Sequence, residues 1–292
     1  MDSFRLACAA FLVAGALAPA AAPGGAAAPE SLPQLVDVRT VHRAGVDRVI
    51  FQFDSGVPST SNARYVRRLR GDGSGLPIRI AGQAVLQVSM HTTETSAVGT
   101  APVRRAFSSP NVMNVVRSGL FEGVTSYGIG LARKTTYDVV EQPGRSRVVV
   151  AVRAAFPTVD RKVYFLDEDR FVDNREPFFV PRRRRVPLTT PATGVMDRVF
   201  AGPTRRERRQ GLRLVRSGAK SYEGLTVSGG VARVRLRGGC DSGGSTVTVA
   251  GSITPSLRQF DGVEWVKILP PGGGIPAGAV GPGDYFPDCL NP

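Results

Sequence analysis

Short apolar alternations separated by turn residues dominate the chain from Leu35 to about Phe156. Val36 and Val38 alternate, then Val49, Phe51 and Phe53, then Leu86, Val88 and Met90, and a continuous apolar run follows at Val148–Val152. Period-two alternation places one face of each strand in a core, so the segment predicts an all-β unit of sandwich type. Gly71–Gly75 is a turn, and Asn111–Gly119 reads as a short inserted helix capped by Asn111 and stopped by Gly119.

After Pro157 the pattern changes to strands alternating with helices. Lys162–Leu166 is a strand followed by a turn at Asp167–Arg170, and Phe178–Val180 starts a second strand that Val186–Leu188 continues beyond Pro181. Val195, Met196, Val199 and Phe200 make one apolar stripe of a 3.6-residue period, and Gly202-Pro203 ends that helix. Thr204 with Glu207 three residues on forms a capping box, and Gly211 stops the short helix it opens. Strands 221–228 and 231–237 flank Gly229-Gly230, a pair suited to the positive φ angles of a primed turn. Ala232, Val234 and Leu236 then face a core, while Arg233, Arg235 and Arg237 give the hairpin a cationic side. Ser245 caps a helix whose Val249, Ile253, Leu257 and Phe260 share a face, with Pro255 imposing a kink or a late start. Val263–Leu269 closes the unit as a strand, and the Pro/Gly-rich tail has no periodicity.

The fold class expected is therefore two domains: an N-terminal all-β sandwich and a small C-terminal α/β domain with a hairpin and two main helices. The expected boundaries are a signal peptide at 1–28, the sandwich at 35–156, the α/β domain at 160–270 and a tail at 271–292. The leader rests on Arg5, an apolar run from Leu6 to Leu17, and A-x-A sites further on. A dozen apolar residues fall short of the roughly 20 that a membrane-spanning helix needs. Cys8 lies inside the apolar run rather than after it, which does not fit a lipidated cysteine.

Removing the leader leaves Cys240 and Cys289, an even count in a compartment that permits disulfides, and a bond between them is expected. It would close a loop of about 50 residues, worth on the order of 4 kcal/mol.

The formal net charge is +14 in 292 residues, with lysine only at Lys134, Lys162, Lys220 and Lys267. Such a field favours acidic partners, which outside the membrane means anionic wall polymers, phospholipid head groups or extracellular nucleic acid. Arginine as the default surface cation of a high-GC genome accounts for the same excess. The candidate anion-binding residues are the runs Arg182, Arg183, Arg184 and Arg185, then Arg205, Arg206, Arg208 and Arg209, with Arg233 and Arg235 of the hairpin. Guanidinium groups bind phosphate and carboxylate in bidentate fashion, and a solvated face partly paired with Glu207 is the competing reading.

No catalytic residue, metal site or cofactor is expected. Cys240-Asp241-Ser242-Gly243-Gly244 matches the nucleophile loop of trypsin-like proteases, but such a serine needs a histidine base and a buried aspartate, and His42 and His91 both lie in the other half. Asp167-Glu168-Asp169 lacks the spacing of a calcium loop.

The second half resembles a GerMN domain, through Val163–Leu166, Ala192–Val195, Ala201–Thr204 with Glu207, Gly211-Leu212 and Val227–Ala232. The resemblance covers roughly 160 to 270 and implies a small non-catalytic α/β domain acting in envelope assembly or signalling. The segment 238–244 departs from the family pattern by its glycines. The first half resembles the AMIN-like domain of secreted actinobacterial proteins, through Gly45–Asp54, Ile80–Leu86, and Phe121–Val124 running to Gly128–Leu131. That resemblance implies a sandwich with a binding role and assigns no ligand residue.

The resulting expectation is a secreted, non-enzymatic envelope protein that binds a wall polymer or an envelope protein partner. Cytoplasmic nucleic acid is excluded and membrane contact is at most peripheral. The alternative is a secreted wall hydrolase with an unrecognised carboxylate site.

Overall fold

The computed structural model describes residues 33–92 and 100–292. The leader, with Cys8, lies outside the described residues.

The period-two segments form nine strands: β1 (Leu35–Arg43), β2 (Val46–Phe53), β3 (Ser61–Val66), β4 (Ala84–His91), β5 (Arg104–Ala106), β6 (Val112–Phe121), β7 (Val124–Leu131), β8 (Tyr137–Gln142) and β9 (Arg147–Arg153). They pair antiparallel into two sheets, ordered β1-β2-β9-β8 and β3-β4-β7-β6-β5. Inward positions of the first sheet (Val49, Phe51, Val148, Val150) meet those of the second (Leu86, Val88, Tyr127, Ile129) in one core. This is the expected sandwich.

The expected helix at Asn111–Gly119 is a strand. Asn111 does not cap a helix: its backbone N–H and that of Val112 donate to the carboxylate of Asp47 at 2.7 and 2.8 Å. Its side chain donates to Thr135 and to the Arg153 carbonyl and accepts from the Arg133 N–H. Val112, Val115 and Val116 favour extended backbone. The alternation is hidden because β6 is covered on both faces, Val115 by the sandwich core and Met113 by Ala201.

The second half comprises β10 (Thr158–Asp167), α1 (Glu168–Val172), β11 (Phe179–Pro187), α2 (Pro191–Ala201), α3 (Arg205–Arg209), β12 (Leu212–Arg213), β13 (Ser221–Ser228), β14 (Val231–Arg237), α4 (Ala250–Arg258) and β15 (Trp265–Leu269). Its sheets run β11-β10-β12 and β13-β14-β15, the β14/β15 pair being parallel. Helices α2 and α4 bury Val195, Met196, Val199, Ile253 and Leu257 against Val163, Phe165, Val234 and Ile268.

Of three local expectations, two change and the continuation past Pro181 holds. Asp167–Arg170 is not a plain turn, because the Asp167 carboxylate accepts from the Arg170 N–H and starts α1. Strand β11 runs unbroken through Pro181, which an edge strand tolerates. Ser245 does not cap α4: its hydroxyl donates to the Val247 carbonyl, and the helix starts late, where the Val249 N–H donates to Ser217 and the Ala250 N–H to Thr248. Pro255 sits inside that helix. The Gly229-Gly230 turn has φ of 55° and 77°, the primed geometry anticipated from the pair.

Sandwich and α/β portion belong to one compact unit and are joined by buried charges. Arg198 of α2, 1 % exposed, donates to the carbonyls of Phe107, Ser109 and Pro110 in the sandwich and of Arg185 in β11. Beside it, Asp197 accepts from Gln83 of the sandwich (3.1 and 2.9 Å) and from the Tyr222 hydroxyl of β13 (2.9 Å). Burial pushes the Asp197 carboxyl up to about 6, against the hydrogen bonds of Gln83 and Tyr222 and the charge of Arg198.

Cys240 and Cys289 are bonded, with Cα atoms 5.5 Å apart and a sequence separation of 49. The Ser242 N–H donates to the Cys289 carbonyl and the Ser242 hydroxyl to that of Asn291, so the bond fixes the chain end beside the 238–244 loop. Replacing both cysteines by serine should cost about 4 kcal/mol in denaturant unfolding. Intact mass of the native protein should rise by two hydrogens on reduction, and an unchanged mass contradicts the bond.

The Asp197 carboxyl carries a pH signature. An unfolded aspartate titrates near 4 and the folded one at about 6, so between these values the folded state binds more protons and its stability falls as pH rises. Asp197→Asn removes the titration and keeps an amide for the same neighbours. Relative to that variant, the native protein should lose about 2 to 3 kcal/mol between pH 4 and pH 7. Parallel stability curves for the two proteins would refute the assignment.

Candidate anion-binding surfaces

Alternation along β11 divides the first arginine run. Arg183 and Arg185 are exposed on one face, and Arg182 and Arg184 share the other with Val180 and Val186. Arg182 is half-buried and donates to the Pro181 carbonyl. Arg184 is buried: its guanidinium makes a two-pronged pair with Glu207 (2.9 and 2.5 Å) and lies over the Phe165 ring at 5.6 Å. Arg184 is thus a correction to the candidate set, because its donors serve the fold.

Glu207 closes the capping box anticipated for α3, accepting from the Thr204 N–H while the Thr204 hydroxyl accepts from the Glu207 N–H. Burial opposes ionisation of its carboxyl, yet the hydrogen bonds and charge of Arg184, with the bonds at Thr204, outweigh it and hold the group below the usual carboxylate range. Around this anchored turn Arg205, Arg206 and Arg209 are exposed. Arg208 is half-buried and donates to the Pro203 carbonyl; burial, then the charges of Arg105, Arg213 and Arg205, lower its pKa.

The hairpin differs from expectation as well. Arg235 donates to the carbonyls of Pro270, Gly272 and Gly274, so it holds the tail instead of facing solvent freely. Arg233 is half-buried and stands in register with Lys267 of β15, which is fully buried.

What residue patterning missed is a groove of about 740 Å³ between β10, β11 and α4. Arg161, Lys162, Arg183 and Arg258 converge there with Asp160, Asp261, Tyr164 and Gln259. Helix α4 forms one wall because its side chains complete the edge of β10: Gln259 donates to the Lys162 carbonyl and accepts from the Lys162 N–H, and the Ser256 hydroxyl accepts from the Tyr164 N–H. The Arg161 guanidinium lies over Phe260 at 5.5 Å, and its Nε is buried with no hydrogen-bond partner among the described residues. Arg258 pairs with Asp284. Of the predicted arginines only Arg183 enters this groove; the neighbouring Arg161 and Lys162 come from β10 and Arg258 from α4.

The protease-like pentapeptide has no catalytic setting. The Ser242 hydroxyl donates to the Asn291 carbonyl at 2.7 Å. His42 lies on β1 against Asp47 at 2.6 Å, and His91 on β4 against Ser59 at 3.1 Å. Among the described residues no cluster of His, Cys, Asp and Glu could hold a metal ion, and no helix is long and apolar enough to cross a membrane.

The architecture is that of a two-domain protein, a β-sandwich followed by an α/β domain whose chemistry is mainly cationic. Its sequence contains an AMIN-like domain at residues 33–154 and a Germane domain, described as sporulation and spore germination, at 162–272. The two together fit an envelope or spore-germination related protein, and the disulfide is consistent with secretion. No curated protein and no solved structure matches the chain.

Glu207→Gln should leave the buried Arg184 charge without its counterion and cost about 3 kcal/mol at neutral pH. A carboxyl with a depressed folded pKa stabilises above its unfolded value near 4 and loses that contribution as pH falls. The deficit of the variant should therefore shrink below about pH 4, as chemical denaturation across pH would reveal.

Proposed function

We propose that this is a non-enzymatic, extracytoplasmic envelope protein that binds an anionic wall polymer through the groove of its C-terminal domain. The observation that carries the proposal is the convergence of Arg161, Lys162, Arg183 and Arg258 on one concave surface, with two carboxylates among them. Fixed guanidinium groups suit phosphate or carboxylate oxygens, and Tyr164 adds a ring that a sugar or polyol can pack against. The exposed Arg205, Arg206 and Arg209 extend the field that draws such a chain in.

The hydrolase reading has one definite form in this structure, since Asp160 and Asp261 line the same groove. A sedimentation assay on purified cell wall, with parallel measurement of released sugars and peptides, decides between them. Binding without release is expected, weakening steeply with salt. Lys162→Ala with Arg183→Ala, both exposed, should weaken it about tenfold. Wild-type protein that leaves the wall unbound at low salt would sink the proposal. Release of soluble fragments that Asp160→Asn and Asp261→Asn abolish would replace it with hydrolysis.

A further inference from the structure

The sandwich carries a second cationic surface, supplied mainly by the basic stretch Arg64–Arg70. Its two sheets are open along one side, where the edge strands β3 and β8 face each other. Two tyrosines staple that side. The Tyr65 hydroxyl donates to the Thr135 carbonyl at 2.6 Å and accepts from the Thr135 N–H, and the Tyr137 hydroxyl donates to the Ala63 carbonyl at 2.7 Å. Their rings meet edge to face at 5.5 Å. Both hydroxyls are thereby used inward, and the staple is rigid.

Two hollows open over this staple, one of about 530 Å³ lined by Arg64, Arg67, Arg68 and Arg70, the other of about 600 Å³ lined by Lys134 and Tyr137. Tyr65 lines both, so they adjoin at this residue. The cations are partly preset: Lys134 is held over the Tyr65 ring at 5.1 Å, and Arg70 donates to the Gly75 carbonyl at 2.8 Å. Arg64, Arg67 and Arg68 are exposed and pair with no carboxylate among the described residues, and no carboxylate lines either hollow.

We infer that this edge is a binding site for an extended polyanion whose charges are phosphate groups, laid along β3 from Arg68 to Lys134. Five cations without a lining counterion create a demand for negative charge that no described side chain meets. Arg64, Arg67, Arg68 and Arg70 follow one another along the chain at this edge, a succession of cations that suits a chain of repeated anions better than a single one. A bilayer surface fits less well, because none of the exposed large apolar side chains belongs to these linings. The inference rests on the reading of this protein as a binder of anionic wall material and adds a site in the other domain.

The test uses the full chain and inorganic polyphosphate as probe, with orthophosphate and phosphatidylglycerol vesicles as comparison ligands. Arg64→Ala, Arg67→Ala and Arg68→Ala combined should weaken polyphosphate binding about tenfold and flatten its salt dependence. Arg39→Ala, Arg43→Ala and Arg145→Ala combined remove the same charge from another exposed surface and should change the affinity less than twofold. Equal losses in the two triple variants would reduce the effect to net charge and overturn the inference. So would vesicle binding that alone responds to the β3 variant, or displacement of polyphosphate by orthophosphate at equal phosphate concentration. Wild-type protein that fails to bind wall defeats the broader proposal, whereas a β3 variant with unaltered polyphosphate affinity defeats this inference alone.

Discussion

A guanidinium group taken out of water needs acceptors for its N–H groups, and at Arg198 the terminal nitrogens find them in both halves of the molecule, while Nε has no partner among the described residues. Its acceptors are carbonyls of Phe107, Ser109 and Pro110, which no strand ladder of the sandwich uses, together with that of Arg185 in β11. Burial and the repulsion of Arg184 outweigh the attraction of Asp47 and Asp197 and bring its pKa down to about 9, so it stays protonated at neutral pH. A charge in that position is tolerated only if the loop 107–110 keeps its place. The loop keeps it because Asp47 receives the N–H groups of Asn111 and Val112 directly behind. Helix α2, the sandwich loop and the β2 carboxylate therefore depend on one another.

The same logic sorts the arginines of the whole chain. Those that fold inward are matched to specific oxygens: Arg198 to carbonyls, Arg184 to Glu207, Arg105 to Asp37 and the Val38 carbonyl, and Arg235 to the tail. Where matching is incomplete, proximity is costly. Burial and the charge of Arg216 bring Arg104 down to about 10, and Arg208 is lowered beside Arg105. Formal charge thus overstates the surface available to ligands. Among the described residues, cations that line hollows fall into two collections, the α4 groove and the β3 edge.

How much of this was legible depended on whether a residue's role was local. The capping box at Thr204 and Glu207, the Gly229-Gly230 turn and the α2 stripe are set by neighbours within a few positions, so the sequence pattern predicts them correctly. Strand β6 was misread as a helix because its signal comes from the distant carboxylate of Asp47 and from burial on both faces, which removes alternation. The arginine run on β11 was legible as a charge cluster but not as a divided one: strand alternation sends Arg184 inward, and the partner that rewards this, Glu207, lies 23 positions away. Arg198 sits within the apolar stretch of α2 and gives no sign of burial, since three of its four acceptors are backbone atoms of the other domain. The α4 groove is assembled from positions on different elements and so resembles no motif, whereas four of the five cations at the β3 edge fall within Arg64–Arg70 and were legible as a basic run.

A junction fixed by buried charges has a consequence for binding. If each domain holds a segment of the same polymer, the second contact is intramolecular, and its strength depends on the effective concentration that the connection imposes. A flexible linker would spread that concentration over many separations and permit weak bridging at any of them. Here Arg198, Asp197 and the bridge between Ala106 and Thr204 hold the domains in one arrangement, so the two grooves keep one separation and one relative direction. Bridging is then strong for a polymer whose charge repeat and stiffness match that separation, and absent for one that does not. The selectivity of such a protein would reside in its domain junction as much as in either groove, and a substitution that loosens the junction would broaden the range of chains bound while weakening the best of them.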